Sequence, residues 1–381
     1  MQYEKRLKRF QAWLAEQGDE YDAVLISDRS NIRYLSGFTG TFAYLVISRD
    51  KAFILTDSRY TMQARQQCPH FTLEKLARYT PPASIARLCE RENWAVLAFE
   101  RHDLSFDFYD RLKSCFGRAN LIPLEQAVEQ FRAVKDEEEI ALIRTAEHIG
   151  DAAFRQVLEL VRPGVTEREL AFELELAMRR AGASGLSFET IVASGVRSAM
   201  PHGVASNKKI ERGDLVVFDF GCVYDGYCSD MTRTIGVGTL SEAQKDLYAL
   251  VLKAQQSALA AARAGVIGEK MQDLVQAVFD KAGFGSYFGH GLGHSVGLEI
   301  HEEPRFSRNV KEQLPAGTVI SVEPGLYVPG IGGVRIEDLV VLREGGCENL
   351  TTSPKELLIV LWRLNIDILG ALLYNKLDVI F

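Results

Sequence analysis

Leu7, Phe10 and Leu14 recur at helical spacing through residues 1–18, and Gly18 stops the amphipathic helix they predict. Four short apolar runs follow at 23–26, 44–47, 52–55 and 95–98, each of strand length. Helical segments predicted near 58–67 and 83–92 alternate with them. Roughly the first 125 residues therefore read as a small α/β domain. The loop Gly37-Phe38-Thr39-Gly40 has no phosphate-loop lysine and no predicted helix after it, so no cofactor is assigned to it.

The pattern changes across 123–135, where Pro123 closes the first domain. Asp136-Glu137-Glu138-Glu139 then opens a long helix, with Asp136 as N-cap, Glu139 completing a capping box, and an acidic first turn that suits the helix dipole. Beyond it the chain repeats itself. Arg162-Pro163-Gly164-Val165 precedes Gly182, and Arg263-Ala264-Gly265-Val266 precedes Gly283, each pair bracketing an amphipathic helix at an offset of 101 residues. Gly213 leads through an apolar strand to Asp219, and Gly317 through another to Glu323, at an offset of 104. Two matches in the same order predict a pseudo-twofold domain built from two helix–helix–strand–strand units.

The strand ending in Asp219 continues into a predicted hairpin. Asp225-Gly226 is a two-residue turn signal, which sets 224 opposite 227, 222 opposite 229 and 221 opposite 230. Asp219 and Asp230 then share one sheet face as diagonal neighbours, with Cβ atoms at most about 8 Å apart. Buried carboxylates at that separation raise one another's pKa unless a cation lies between them. The bland alternative is a surface hairpin with two solvated aspartates.

Composition narrows the partners. An apolar content of 47% and charged content of 25% are those of a globular protein, and 381 residues suffice for two or three domains. A net charge of −7 argues against a nucleic-acid binder. The six cysteines form no CxxC pair, the charged N-terminus lacks a signal-peptide core, and the first 350 residues hold no run long enough to span a bilayer. The expectation is a cytoplasmic protein with reduced thiols.

Three of the seven histidines, His290, His294 and His301, fall within twelve residues. The interspersed Gly289, Gly291, Gly293 and Gly297 disfavour a helix, so the histidines are expected to enter a cavity from a glycine-rich loop and from a strand containing Leu298 and Ile300. Glu323 heads Glu323-Pro324-Gly325, and Glu337 lies in Arg335-Ile336-Glu337-Asp338. Asp219, Asp230, His294, Glu323 and Glu337 together are too anionic for one structural zinc. They suit two divalent ions sharing carboxylates, with manganese or cobalt favoured by oxygen-rich ligation, and zinc or iron as alternatives. Such a pair can hold a bridging hydroxide and polarise a carbonyl, with His202, His290, His301 and Arg335 left to position substrate. Metal-assisted hydrolysis is the predicted reaction class.

These motifs, with Ser229-Asp230-Met231-Thr232-Arg233-Thr234 and Asp57-Ser58-Arg59-Tyr60, resemble the creatinase/prolidase/methionine aminopeptidase group of pita-bread metallopeptidases, and within it bacterial Xaa-Pro peptidases. The resemblance covers roughly residues 1–358. It implies an α/β creatinase-like N-terminal domain over 1–128, an α+β pita-bread catalytic domain over 129–358, and an apolar extension of unassigned role over 359–381. It further implies that Asp219 chelates one metal, Asp230 and Glu337 bridge both, and His294 and Glu323 complete the other. Glu323 would be general base, His202 would lie at the mouth, and His290 would sit beside the scissile bond. His301 would steady the tetrahedral intermediate and Arg335 would hold His301 or other supporting groups. The implied assembly is a homodimer and the implied substrates are short peptides with proline second. The implied activity is that of an Xaa-Pro aminopeptidase, with an Xaa-Pro dipeptidase (prolidase) as the alternative. A binding protein that has kept the fold and lost catalysis is disfavoured by the intact ligand set.

Overall fold

The computed structural model describes residues 2–76, 80–117, 120–362 and 377–380. The chain divides into two compact units between Arg132 and Ala133. In the first, helix Tyr3–Glu16 buries Leu7, Phe10 and Leu14, the three positions its periodicity singles out. The four apolar runs are strands of one six-stranded sheet, in which Ala23–Ile26 pairs antiparallel with Tyr44–Ser48 and parallel with Val96–Glu100. The predicted helical stretches form helices Thr61–Gln67 and Pro81–Arg91.

Other elements of this unit carried no clear sequence signal. Thr72–Lys75 is a short, partly exposed edge strand, Thr-Leu-Glu-Lys, too brief and polar to alternate. Helix Arg29–Ser36 is marked by its ends rather than its periodicity. Asp28 accepts the Asn31 N–H at its start, and Gly37 takes a left-handed φ of 79° at its stop. Pro123 sits inside the other edge strand, Asn120–Leu124, where a missing N–H is tolerated. Arg59 pairs with Asp57 at 2.7 Å on an exposed turn.

The second unit has the twofold pattern. Helix Glu137–Leu158 opens on the predicted capping box, with Glu139 N donating to Asp136 Oδ1 and Asp136 N to Glu139 Oε2, both at 2.9 Å. Helices Glu167–Arg180 and Gly268–Lys281 occupy the two bracketed segments. The bracketing glycines adopt left-handed φ in matched pairs, Gly164 with Gly265, Gly182 with Gly283, and Gly213 with Gly317. Their hydrogen bonds match too, Gly164 N donating to Ile210 O and Gly265 N to Leu314 O. Each half is built on a five-stranded sheet, the first completed by Ile359–Trp362 and Leu377–Ile380, which are the described strands of the extension expected over 359–381. Strands Leu215–Phe220 and Met231–Val237 are adjacent inside one, and Val319–Val322 and Asp338–Arg343 inside the other.

All six residues of Leu215–Phe220 are buried, because both faces of the strand are covered. Val216, Phe218 and Phe220 pack on the first helix pair, with Phe154 edge-on to Phe218 at 5.6 Å and stacked on Phe220 at 5.8 Å. Burying one such phenylalanine contributes roughly 1.5–3 kcal/mol. Period-two alternation turns Asp219 to the opposite face. There the Leu215 side chain joins the core of the second half, beside Ile320 and Val322. The apolar residues thus orient the carboxylate.

Candidate active site

The hairpin has the predicted register. Tyr224 faces Tyr227, Val223 faces Cys228, and further down Phe220 faces Met231 and Asp219 faces Thr232. Asp225 and Gly226 both have positive φ, 43° and 82°, as a two-residue turn of this hand requires. Gly221 lies so close to its partner strand that a Cβ there would fall 1.9 Å from Ser229 O. Glycine at 221 therefore lets the strands close up so that Asp219 and Asp230 meet as diagonal neighbours on one face.

The second half supplies the matching groups. Glu323 follows Val319–Val322 directly and Glu337 precedes Asp338–Arg343 directly. Oxygen atoms of Asp219, Asp230 and Glu337 all lie within 4.8 Å of one another. His294 Nε2 is 3.5 Å from both Asp230 Oδ2 and Glu323 Oε1. His294 sits in strand Gly293–Ser295, at a bulge that re-aims its side chain. A Cβ at Gly293 would meet Ser321 O at 1.9 Å, so this strand too needs glycine beside a site residue. Residues 296–301 form an irregular turn, not the strand expected through Leu298 and Ile300. Gly297 N donates to Glu299 O, and the Gly297 carbonyl accepts from Cys228 N, which removes that segment from the ladder.

All nine site residues expected from the sequence line one cavity of about 760 Å³. His202 and His301 are exposed at it, and Phe188, Ile191 and Val204 give it apolar walls. His301 packs edge-on to His294 with ring centroids 4.4 Å apart. Arg335 is buried and engages Asp219 Oδ2 through Nη2, with Nη1 donating to Tyr327 Oη at 2.6 Å and to Pro201 O at 3.2 Å, and Nε to Thr232 Oγ1 at 3.0 Å. These partners, and not His301, are the groups that Arg335 holds. Tyr327 in turn meets His290 Nε2 at 3.2 Å. Sequence reasoning missed Tyr327, Ser321 and the part played by Thr232. Each is a polar side chain in an apolar strand, which periodicity alone does not distinguish from a satisfied core hydroxyl.

The electrostatics are those of a cation site. Burial, then Glu337, Asp219 and Glu323, push the Asp230 carboxyl well above its ordinary range. Burial, followed by Glu323 and Asp219, does the same to Glu337. Burial also raises Glu323 and lowers His290 and His294. His301, half-enclosed by the cavity wall, is depressed to about 4 by partial desolvation and then by His294. Thr232 satisfies Glu337 Oε2, while Glu337 Oε1 is buried without a hydrogen-bond partner among the described residues. A carboxyl with one oxygen unpartnered, clustered with two further carboxyls, fits a hard divalent ion.

The family model for metallopeptidase family M24 matches residues 141–344, more than half the chain. The chain belongs to metallopeptidase family M24. A model of the creatinase/prolidase N-terminal domain matches residues 6–134, so this M24 enzyme joins a creatinase-type domain to a pita-bread catalytic domain. The Xaa-Pro dipeptidase of Pyrococcus horikoshii is 38% identical over 338 residues, 88% of this chain and 94% of that protein. Among solved structures, an Xaa-Pro dipeptidase from Bacillus anthracis has a TM-score of 0.90 at 41% identity, over 94% of this chain and 99% of that one. An X-Pro aminopeptidase from Thermotoga maritima has a TM-score of 0.86 at 41% identity, over 92% and 100%. The two halves of the pita-bread domain each deliver carboxylates from paired strands, and Asp219, Asp230 and Glu337 meet there as one buried acidic cluster. Among the described residues no helix is long and apolar enough to cross a membrane.

Proposed function

We propose that this M24 metallopeptidase hydrolyses the Xaa-Pro bond of short peptides with the help of two divalent ions. The observation that carries the reading is the convergence of Asp219, Asp230, His294, Glu323 and Glu337 on one cavity, with Glu337 Oε1 left without a partner among the described residues. Asp219 would hold one ion, Asp230 and Glu337 both, and His294 and Glu323 the other. When bound, the ions supply an activated water and a Lewis acid for the peptide carbonyl. Manganese suits the oxygen-rich set, with cobalt, zinc or iron as substitutes.

The protein's own groups do the rest. Glu323, raised by burial, accepts the proton of the attacking water and passes it toward the leaving nitrogen. His301 is neutral near pH 7, so its N–H can donate to the developing oxyanion. His202 at the mouth orients the peptide, His290 rests on Tyr327, and Arg335 fixes Asp219. Phe188, Ile191 and Val204 suit an apolar proline ring, whose bond lacks the amide hydrogen that general peptidases exploit.

Two lengths of substrate are compatible with this site. The aminopeptidase reading accepts tripeptides and longer, through an open cavity. The dipeptidase reading is favoured by Arg305, which also lines the cavity. Its Nε pairs with Glu303 at 2.9 Å, and among the described residues the rest of its fork has no partner, which leaves it for the terminal carboxylate of an Xaa-Pro dipeptide. The six free cysteines support a reducing cytoplasm, and family resemblance supports a homodimer.

The test is hydrolysis of Xaa-Pro and Xaa-Pro-Yaa by manganese-loaded protein, with a chelator-treated control. Cleavage of the tripeptide at its first bond establishes the aminopeptidase, and cleavage of the dipeptide alone establishes the dipeptidase. If neither peptide is cut with manganese, cobalt or zinc, the proline reading fails.

A further inference from the structure

Behind the site, away from the cavity, lies a buried polar assembly that substrate cannot reach. Arg233 is among the largest fully buried side chains of the protein. All five of its N–H donors are used. Nε donates to Pro354 O at 2.9 Å, and Nη2 donates to Ser353 O and Asp338 Oδ1, both at 2.7 Å. Nη1 donates to Thr232 O at 2.9 Å and to Glu337 O. Glu337 N also donates to Thr232 O, at 3.1 Å, so both backbone polar groups of Glu337 are fixed by this one junction.

The segment that receives Arg233 is itself tied to helix Glu137–Leu158. Asp151 accepts four hydrogen bonds from it, from the backbone N–H and hydroxyl of Thr352 and of Ser353, at 2.6–2.9 Å. One helical turn earlier, Glu147 accepts from Thr351 Oγ1 at 2.6 Å and from Asp230 N at 3.3 Å. The same helix thus touches the backbone of Asp230 through Glu147, and that of Glu337 through Asp151, the 352–354 segment and Arg233. Asp338, next to Glu337, is held by Gln255, Asn349 and Lys355 as well as Arg233.

We propose that Arg233 and Asp151 are positioning residues that set the spacing of the Asp230 and Glu337 carboxylates from behind. The inference rests on the reading above, in which these two carboxylates serve both ions. A bridging pair must be spaced to match two ions about 3.5–4 Å apart. Two strand ends from opposite halves of the domain have no covalent reason to keep that spacing. The Arg233 fork spans them, and its planar, five-donor geometry is one that lysine cannot reproduce.

The experiment is a calorimetric titration of manganese into chelator-stripped protein, comparing wild type with Arg233→Lys and Asp151→Asn, together with the manganese spin-resonance spectrum of each loaded protein. Wild type is expected to bind two ions with an exchange-coupled spectrum. Arg233→Lys is expected to bind at least one ion about 10–100-fold more weakly and to show the signal of isolated ions. Asp151→Asn acts one step further away and is expected to follow in the same direction with a smaller loss. It also carries the test should Arg233→Lys fail to fold. Glu167→Gln is the control for general destabilisation, since Glu167 is buried and accepts from Ser194 and Ser206 and touches no predicted ligand. It should lower the melting temperature without changing the coupled spectrum. Wild-type affinity, stoichiometry and coupling in folded Asp151→Asn and Arg233→Lys would overturn the positioning role alone. A wild-type protein that binds no divalent ion would overturn the two-metal reading itself, and this inference with it.

Discussion

Thr232 Oγ1 donates a 2.6 Å hydrogen bond to Glu337 Oε2, across the junction between the two halves of the catalytic unit. The same hydroxyl accepts from Arg335 Nε at 3.0 Å. Thr232 therefore leaves one oxygen of Glu337 saturated and the other, Oε1, buried and available to an ion. Thr232→Val keeps the shape and removes both bonds. The expected outcome is a loss of about 10–100-fold in manganese affinity with the fold intact, read by titration and circular dichroism. Unchanged affinity would show that Glu337 needs no such support.

Arg335 offers a second test, because its fork serves Asp219, Tyr327, Thr232 and Pro201 at once. Lysine has no planar fork, so Arg335→Lys should lower kcat/KM about 10–100-fold. Tyr327→Phe removes the hydrogen bond from Arg335 and the contact with His290 but leaves the fork on Asp219 and Thr232, and should cost about tenfold. Steady-state kinetics on an Xaa-Pro substrate check both. An inverted order, with Tyr327→Phe the more damaging, would place the tyrosine in direct contact with the reacting groups.

Metal binding is expected to expel protons. Burial and mutual repulsion hold Asp230 and Glu337 well above the ordinary carboxylate range when no cation is present. A divalent ion needs them ionised. Adding manganese to stripped, weakly buffered protein near pH 6 should therefore acidify the solution. It should also raise stability by about 2.7 kcal/mol at a hundredfold excess over Kd. A titration with metal uptake and no proton release would contradict the carboxylate ligation.

The first unit has its own pH dependence. Glu100 is pushed up to about 8 by burial, which outweighs hydrogen bonds from Ser27 N, Asp28 N and Asn31 Nδ2 at 2.6–2.8 Å. A carboxyl raised in the folded state keeps its proton there and loses it on unfolding. Its contribution is complete below the unfolded pKa of 4.5 and is lost as pH rises toward about 8. The slope is at most about 1.4 kcal/mol per pH unit. Melting temperatures across that window should fall in wild type and fall less steeply in Glu100→Gln. Parallel slopes would show that Glu100 is ionised in the folded protein.

Much of the architecture was legible in the order of residues because it rests on local rules. Period-two and helical spacing, the Asp136–Glu139 box, the Asp225-Gly226 turn and the glycine pairs at matched offsets act within a few residues of themselves. They set which strand each of Asp219, Asp230, Glu323 and Glu337 belongs to, and on which side of the hairpin the first two lie. The sequence alone therefore determined the two-unit organisation, the internal repeat and the acidic residues of the candidate site. Only the tertiary structure decided the rest. Arg335 reaches Asp219 across 116 positions, Thr351 reaches Glu147 across 204, and Arg233 closes on Glu337 across 104. No local periodicity encodes such pairs, since each forms only when the two halves bury their inner faces against one another. That burial is also what raises the carboxylates and leaves Glu337 Oε1 without a partner among the described residues, so the proposed fit to a cation is a property of the packed domain.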